Sequence, residues 1–149
     1  MFYVDRGECG FESLLRAGLV AAHSVIVSYD VRRFVCVEAY ARLEGCRWAR
    51  LVVDGSRVRG LSVQEPALEG LLRSLLRGDR WPGLLLETVQ GPREPSGCVS
   101  VADILGGSIG GCPGCVYVEP VVGVFTAWWA AAAAMVALDE RCGGCGRSG

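Results

Sequence analysis

A chain of 149 residues that is 51% hydrophobic can bury a core sized for one domain, which excludes wholesale disorder. A formal net charge of −1 argues against a purely polybasic nucleic-acid binder. All 15 basic residues are arginine, so Schiff-base chemistry, a phosphate-loop lysine and a lysine general base are excluded.

In chain order, Met1 to Val4 reads as a short strand. Phe11, Leu14, Leu15, Gly18, Leu19 and Ala22 then recur at the spacing of an amphipathic helix. His23 to Val27 shifts to β-branched residues, which suits a strand or a buried connector. A second helix is expected from Ser28 or Asp30, both good caps, to Glu44, with Gly45 as its stop. Arg50 to Val63 reads as a β-hairpin, because Asp54-Gly55 is a strong turn signal between two valine-rich arms.

Pro66 opens a helix whose leucines at 68, 71, 72, 75 and 76 form a core-facing stripe ending at Gly78. Leu84 to Val89 reads as a buried strand and Gln90 to Gly97 as a loop. Ser100 and Asp103 cap a short helix that stops at Gly106-Gly107. Pro120 then stands where a long apolar helix, Val121 to Leu138, would begin. That uncharged run of 18 residues lies at the lower edge for a membrane span. Seven of its residues are alanine and acids close both ends, so a buried helix is expected and a membrane partner is not. The expected organisation is a single α/β (α+β) domain over residues 1–141 and a flexible glycine-rich tail over 142–149. Its architecture is a single mixed sheet with helices packed on it and a long C-terminal helix. No charged segment followed by an apolar run opens the chain, and a cytoplasmic location is expected.

Eight cysteines carry the sharpest chemical alternative. Cys112, Cys115, Cys142 and Cys145 form two C-x-x-C pairs, whose thiolates could hold zinc or exchange electrons. A helix of 18 residues between the pairs would span about 27 Å and keep them apart, which favours disulfides or buried thiols. A cytosolic protein of a thermophile can hold disulfides. Conventional catalysis finds no constellation. His23 is the one histidine and has no acid beside it in sequence, and Gly106 to Gly111 lacks the rest of a phosphate-binding motif. No cofactor and no catalytic residue are expected.

Charge is unevenly spread. Residues 31–60 hold seven arginines (Arg32, Arg33, Arg42, Arg47, Arg50, Arg57, Arg59) against Glu38, Glu44 and Asp54. That is a net +4, leaving −5 for the rest of the chain. Trp48 lies among them, and arginine interleaved with an aromatic suits phosphate contact plus base stacking. The competing expectation is a solvated helix face, with Glu38 and Arg42 as an i,i+4 pair.

The run Glu38-Ala-Tyr-Ala-Arg42-Leu-Glu-Gly45-Cys-Arg47 resembles the Glu…Gly-x-Arg helix and turn of the small kinase-binding subunit of the KEOPS complex, the PRPK-binding-protein family. The order of elements around it and the closing Ala-Leu pair are similar across about three quarters of the chain. Trp48-Ala49 departs from the family's continuation, under which residues 50–63 would be helical, and the C-x-x-C pairs lie outside its pattern. The resemblance implies a non-catalytic subunit that binds the complex's kinase/ATPase subunit and recruits tRNA by its 3′ end for threonylcarbamoyladenosine formation. By position it implies Arg47 and Arg50, with Arg33 and Trp48, for RNA. The partner surface it implies is the alanine face of the last helix, Ala127, Ala130, Ala131 and Ala134.

Overall fold

The computed structural model describes residues 1–27, 30–107, 110–119, 121–122 and 125–147. Strand β1 is Phe2–Val4 and helix α1 is Phe11–Val25; short strands β2 (Ile26–Val27) and β3 (Asp30–Val31) pair antiparallel. There follow β4 (Cys36–Arg42), β5 (Trp48–Asp54), α2 (Glu65–Leu76) and β6 (Leu84–Thr88). The last third holds β7 (Val99–Ser100), α3 (Val101–Leu105), β8 (Val116–Val118), β9 (Val121–Val122), β10 (Phe125–Thr126) and α4 (Ala127–Arg147). Six strands form one mixed sheet in the order β6-β5-β4-β1-β8-β7, and the fold is α+β with a long C-terminal helix. β1 runs parallel to both β4 and β8, and β5 runs antiparallel to β4 and β6.

Alternation along the strands separates two faces. Val37, Ala39 and Ala41 of β4, with Leu51 and Val53 of β5, are buried in one cluster with residues of all four helices. Glu38, Tyr40 and Arg42 therefore point to the other face, where Phe2, Val4 and Tyr40 form a small separate cluster. Helices thus cover one face only. Ala17 and Ala21 of α1 and Ala130, Ala131 and Ala134 of α4 are all at most 1% exposed, and the two helices pack together. Small side chains let helices approach closely, so the alanines belong to the interior.

Several expectations are corrected. Residues 36–42 are a strand, not part of a second helix, because their period-2 burial matches the pairing that β1 and β5 offer; Ser28 lies outside the described residues. The Asp54-Gly55 turn forms, with Val58 N–H donating to Asp54 O at 2.9 Å, but no strand follows it. A Cβ on Gly55 would stand 2.2 Å from Arg32 O, so glycine is needed there for close approach of backbone. The hairpin partner of β5 is β4, and β6 is an edge strand, half exposed instead of buried. The last helix starts at Ala127 and runs through Cys142 to Arg147, the stretch expected as a glycine-rich tail. Pro120 lies outside the described residues, and no helix among those described is long and apolar enough to cross a membrane.

One buried carboxylate ties the layers together. Asp5, 2% exposed at the end of β1, accepts from Tyr3 Oη at 2.8 Å, Ser13 Oγ at 2.6 Å, and Arg16 Nε and Nη2 at 2.8 and 2.9 Å. Ser13 Oγ in turn accepts the Arg42 N–H at 2.9 Å, so β1, α1 and the end of β4 share one network. On the far side, Arg32 pairs with Asp139 of α4 through Nε and Nη2 at 2.7 and 3.0 Å and donates to backbone carbonyls at the end of α1.

Burial pushes the Asp5 carboxyl up, but hydrogen bonds from Arg16, Ser13 and Tyr3 together push harder the other way, and it titrates below its ordinary value. Its contribution to stability is complete above the unfolded-state value of about 3.9 and is lost as pH falls through the lower folded value. Asp5→Asn is expected to cost roughly 2 kcal/mol at neutral pH and to flatten the loss of stability below about pH 4. Urea unfolding midpoints at stepped pH check this, and an unchanged acid limb contradicts it.

Candidate nucleic-acid interface

The helix-free face of the sheet carries Arg42, Trp48 and Arg50 of the arginine-rich stretch. At one end of it β4 and β5 are joined by a tight tip. Glu44-Gly45 turn the chain, Cys46 N–H donates to Leu43 O at 2.8 Å, and Gly45 adopts φ 76°, where glycine is favoured. Cys46 follows at φ 58° and is bonded to Cys9 of the β1–α1 loop. Gly10 N–H donates to Arg42 O at 2.8 Å and Arg42 Nη2 donates to Gly7 O. The tip is thereby fastened to the loop that leaves Asp5.

Two side chains meet at this corner, and a third stands next to them in the chain. The Arg42 guanidinium carbon stands 5.6 Å from the centroid of the Trp48 ring, a cation–π distance. Trp48 is half-buried, and Arg47 beside it is exposed. Among the described residues no carboxylate pairs with Arg47, and Arg42 Nε is buried with no hydrogen-bond partner. A cation over an indole offers a stacking surface and a positive charge at one exposed corner, the elements of contact with a base and a phosphate.

Behind the corner, Phe2, Tyr40 and Tyr117 line the middle of the face, with ring centroids 5.6 and 6.1 Å from Phe2. Residues 89–93 cross over them and leave a cleft of about 710 Å³, lined by Glu38, Tyr40, Arg50, Val89 and Gln90 to Arg93. Arg50 donates from Nε to Glu38 at 3.0 Å and from Nη1 to Glu87 at 2.8 Å, while Tyr40 Oη donates to Glu38. Burial pushes the Glu38 carboxyl up, yet hydrogen bonds from Tyr40 and Arg50 hold it below the usual range. With two carboxylates on one guanidinium, Arg50 is neutralised and sets the shape of the cleft, leaving no surplus positive charge for phosphate.

The expected RNA residues therefore divide. Trp48 lies at the corner with the exposed Arg47 next to it in the chain but, by strand alternation, turned to the other side; Arg50 lies one step inside with its charge satisfied, and Arg33 lies before the opposite end of β4, roughly 20 Å along the strand. Arg32 is buried against Asp139 and leaves the basic set. Arg42 was missed as a site residue because a helical reading pairs it with Glu38. The alternation over residues 36–42 is the signal that places it over Trp48 on a strand. The expected partner surface is corrected: Ala127, Ala130, Ala131 and Ala134 are at most 2% exposed, since α4 spends that face on the core.

The remaining chemical candidates are placed as follows. His23 is half-buried in α1 with its ring 5.4 Å from that of Trp129, and burial lowers its pKa. Cys112 is bonded to Cys142 and Cys115 to Cys98, so three sulfurs of the two C-x-x-C pairs are in disulfides; the Cys145 side chain lies outside the described residues. The two pairs do meet, against the expectation from helix length, because α4 starts late and returns alongside β8 to the level of Cys112. Among the described residues no group of three or more His, Cys, Asp or Glu could hold a metal ion.

If the Cys9–Cys46 bond fixes the corner, Cys9→Ser with Cys46→Ser should destabilise the fold by roughly 2–4 kcal/mol. Amide exchange at Leu43 to Arg47 should rise, while the centre of β4 stays protected. Equal exchange at the tip in both proteins contradicts this. No protein-family model matches the chain and no curated protein shows detectable similarity to it, so its function is read from the site itself.

Proposed function

We propose that the protein is a non-catalytic accessory subunit that binds RNA through the corner formed by Arg42, Arg47 and Trp48. The observation that carries this reading is the Arg42 guanidinium over the half-buried Trp48 indole, with the exposed Arg47, unpaired among the described residues, next along the chain. Local charge supports it as well, since Arg42 and Arg47 outnumber Glu44 at the β4–β5 tip. Arginine supplies the phosphate contact and Trp48 the stacking surface, a pairing suited to single-stranded ends more than to a duplex groove.

The narrower form is a tRNA-recruiting subunit of KEOPS, bound to its kinase/ATPase subunit and engaging the tRNA 3′ end in threonylcarbamoyladenosine formation. It rests on the Glu38 to Arg47 resemblance. Those residues form a strand and a tip here, where the resemblance implies a helix and a turn. With the alanine face buried, the surface for the kinase moves to the outer side of α4, where Trp129 and Val136 stand 58% and 65% exposed at i,i+7 spacing. A cytoplasmic location fits this reading in a thermophile, whose cytosolic proteins can hold disulfides such as the three seen here.

Binding of tRNA, alone and with the kinase subunit, tests the reading. Affinity should fall as salt rises, with a log–log slope near −1 to −3 for two or three phosphate contacts. Removing the 3′ CCA should weaken it, and Trp48→Ala should weaken it between roughly 5-fold and 100-fold. Absent or salt-insensitive binding under both conditions contradicts the proposal.

A further inference from the structure

The cleft behind the corner holds an acceptor that the protein itself leaves unused. Tyr40 Oη and Arg50 Nε both donate to Glu38 Oε1, and among the described residues no donor reaches Oε2. An ionised carboxylate has about four acceptor positions, so about half of this one stays open. The Glu38 side chain lines the cleft and is 29% exposed, within reach of a ligand there. Tyr40 and Arg50 hold it in place before anything binds, which lowers the cost of ordering it. At about 710 Å³ the cleft has the size of a small-ligand site, about 300–1,000 Å³.

The cleft is continuous with the corner. Val89 N–H donates to Trp48 O at 3.0 Å, and a Cβ on Gly91 would stand 3.9 Å from Trp48 Cδ1. Along the open face the cross-strand pairs run Arg42–Trp48, Tyr40–Arg50 and Glu38–Val52. Glu38 thus lies four residues, roughly 13 Å, along β4 from Arg42. Arg93 lines the other side of the cleft, is exposed, and has no carboxylate partner among the described residues.

Charge narrows the choice of ligand. Glu38 and Glu87 against Arg50 and Arg93 sum to zero, so the cleft has no net attraction for an ammonium or guanidinium group. A phosphate on the floor would meet the Glu38 carboxylate. A neutral N–H donor suits the floor, and a phosphate suits Arg93 at the rim.

Resting on the RNA reading above, we infer that the cleft takes one nucleotide of the strand stacked on Trp48. We infer further that it selects a base with an exocyclic amino group (adenine, cytosine or guanine) over uracil. The amino N–H donates to Glu38 Oε2, and Arg93 contacts the adjoining phosphate. Uracil carries its O4 carbonyl where cytosine carries the N4 amino group, and O4 against a carboxylate sets acceptor against acceptor. Trp48 is then the sequence-tolerant platform and Glu38 the residue that determines specificity.

Fluorescence anisotropy of the full chain with single-stranded oligo(C) and oligo(U) of equal length, at one salt concentration, tests this. The wild-type protein should bind oligo(C) roughly 5-fold or more tightly than oligo(U). Glu38→Gln, whose amide offers O4 a donor, should bring that ratio close to one. Arg93→Ala should weaken both oligomers alike and reduce the salt slope by about 1. Equal binding of the two oligomers by the wild-type protein overturns the inference and leaves the RNA reading standing, whatever the variants do. A preference for oligo(C) that Glu38→Gln retains overturns it as well. Binding of neither oligomer contradicts the RNA reading and removes this inference with it.

Discussion

The buried carboxylate of Asp5 is the constraint on which the rest of the structure depends. It accepts four hydrogen bonds, and through Ser13 and Arg16 it fixes where α1 leaves β1 and where β4 ends. A buried charge without those partners would cost several kcal/mol, so the network forms as a unit or not at all. The β1–α1 loop that Asp5 anchors then holds the β4–β5 tip by a backbone bond to Arg42 and by the Cys9–Cys46 bond. The exposed corner is stiff because it is fastened to a buried one. That stiffness has a use in binding, since a preorganised tryptophan and arginine lose little conformational freedom when a ligand arrives.

A second consequence follows from the alanines. Because α1 and α4 meet through small side chains, they lie side by side over the central strands, and the helices gather on a single face of six strands. The other face is left to Phe2, Tyr40 and Tyr117 and to the crossing segment of residues 89–93. That face holds the buried rings of Phe2 and Tyr40, an internally neutralised arginine and one exposed basic corner.

Much of the architecture was legible in the chain itself. The leucine stripes of α1 and α2, the short strand at Met1 to Val4 and the Ser100 cap of α3 are local signals, and local signals survive folding. Residues 36–42 were not legible for a physical reason. Ala39 and Ala41 favour a helix intrinsically, and Glu38 with Arg42 satisfies helical pairing, so only partners distant in sequence decide for the strand. The same limit hid the corner. Arg42 meets Trp48 across a hairpin whose turn is Glu44-Gly45, while the more conspicuous Asp54-Gly55 turn leads into no strand. Arg50 looked like a phosphate ligand because Glu87, which neutralises it, comes 37 residues later. The disulfide pairing was equally out of reach, since it depends on α4 returning alongside β8.

Bound RNA is expected at the β4–β5 corner, over Trp48 and Arg42 and beside the neighbouring Arg47. Ultraviolet crosslinking of the protein to tRNA, followed by mass-spectrometric localisation of the modified peptides, tests that placement directly. Crosslinks concentrated at Trp48 and its neighbours in β4 and β5, with none in α1 or α2, are predicted. Crosslinks on the helical layer, or spread evenly over exposed arginines such as Arg57 and Arg80, would contradict it.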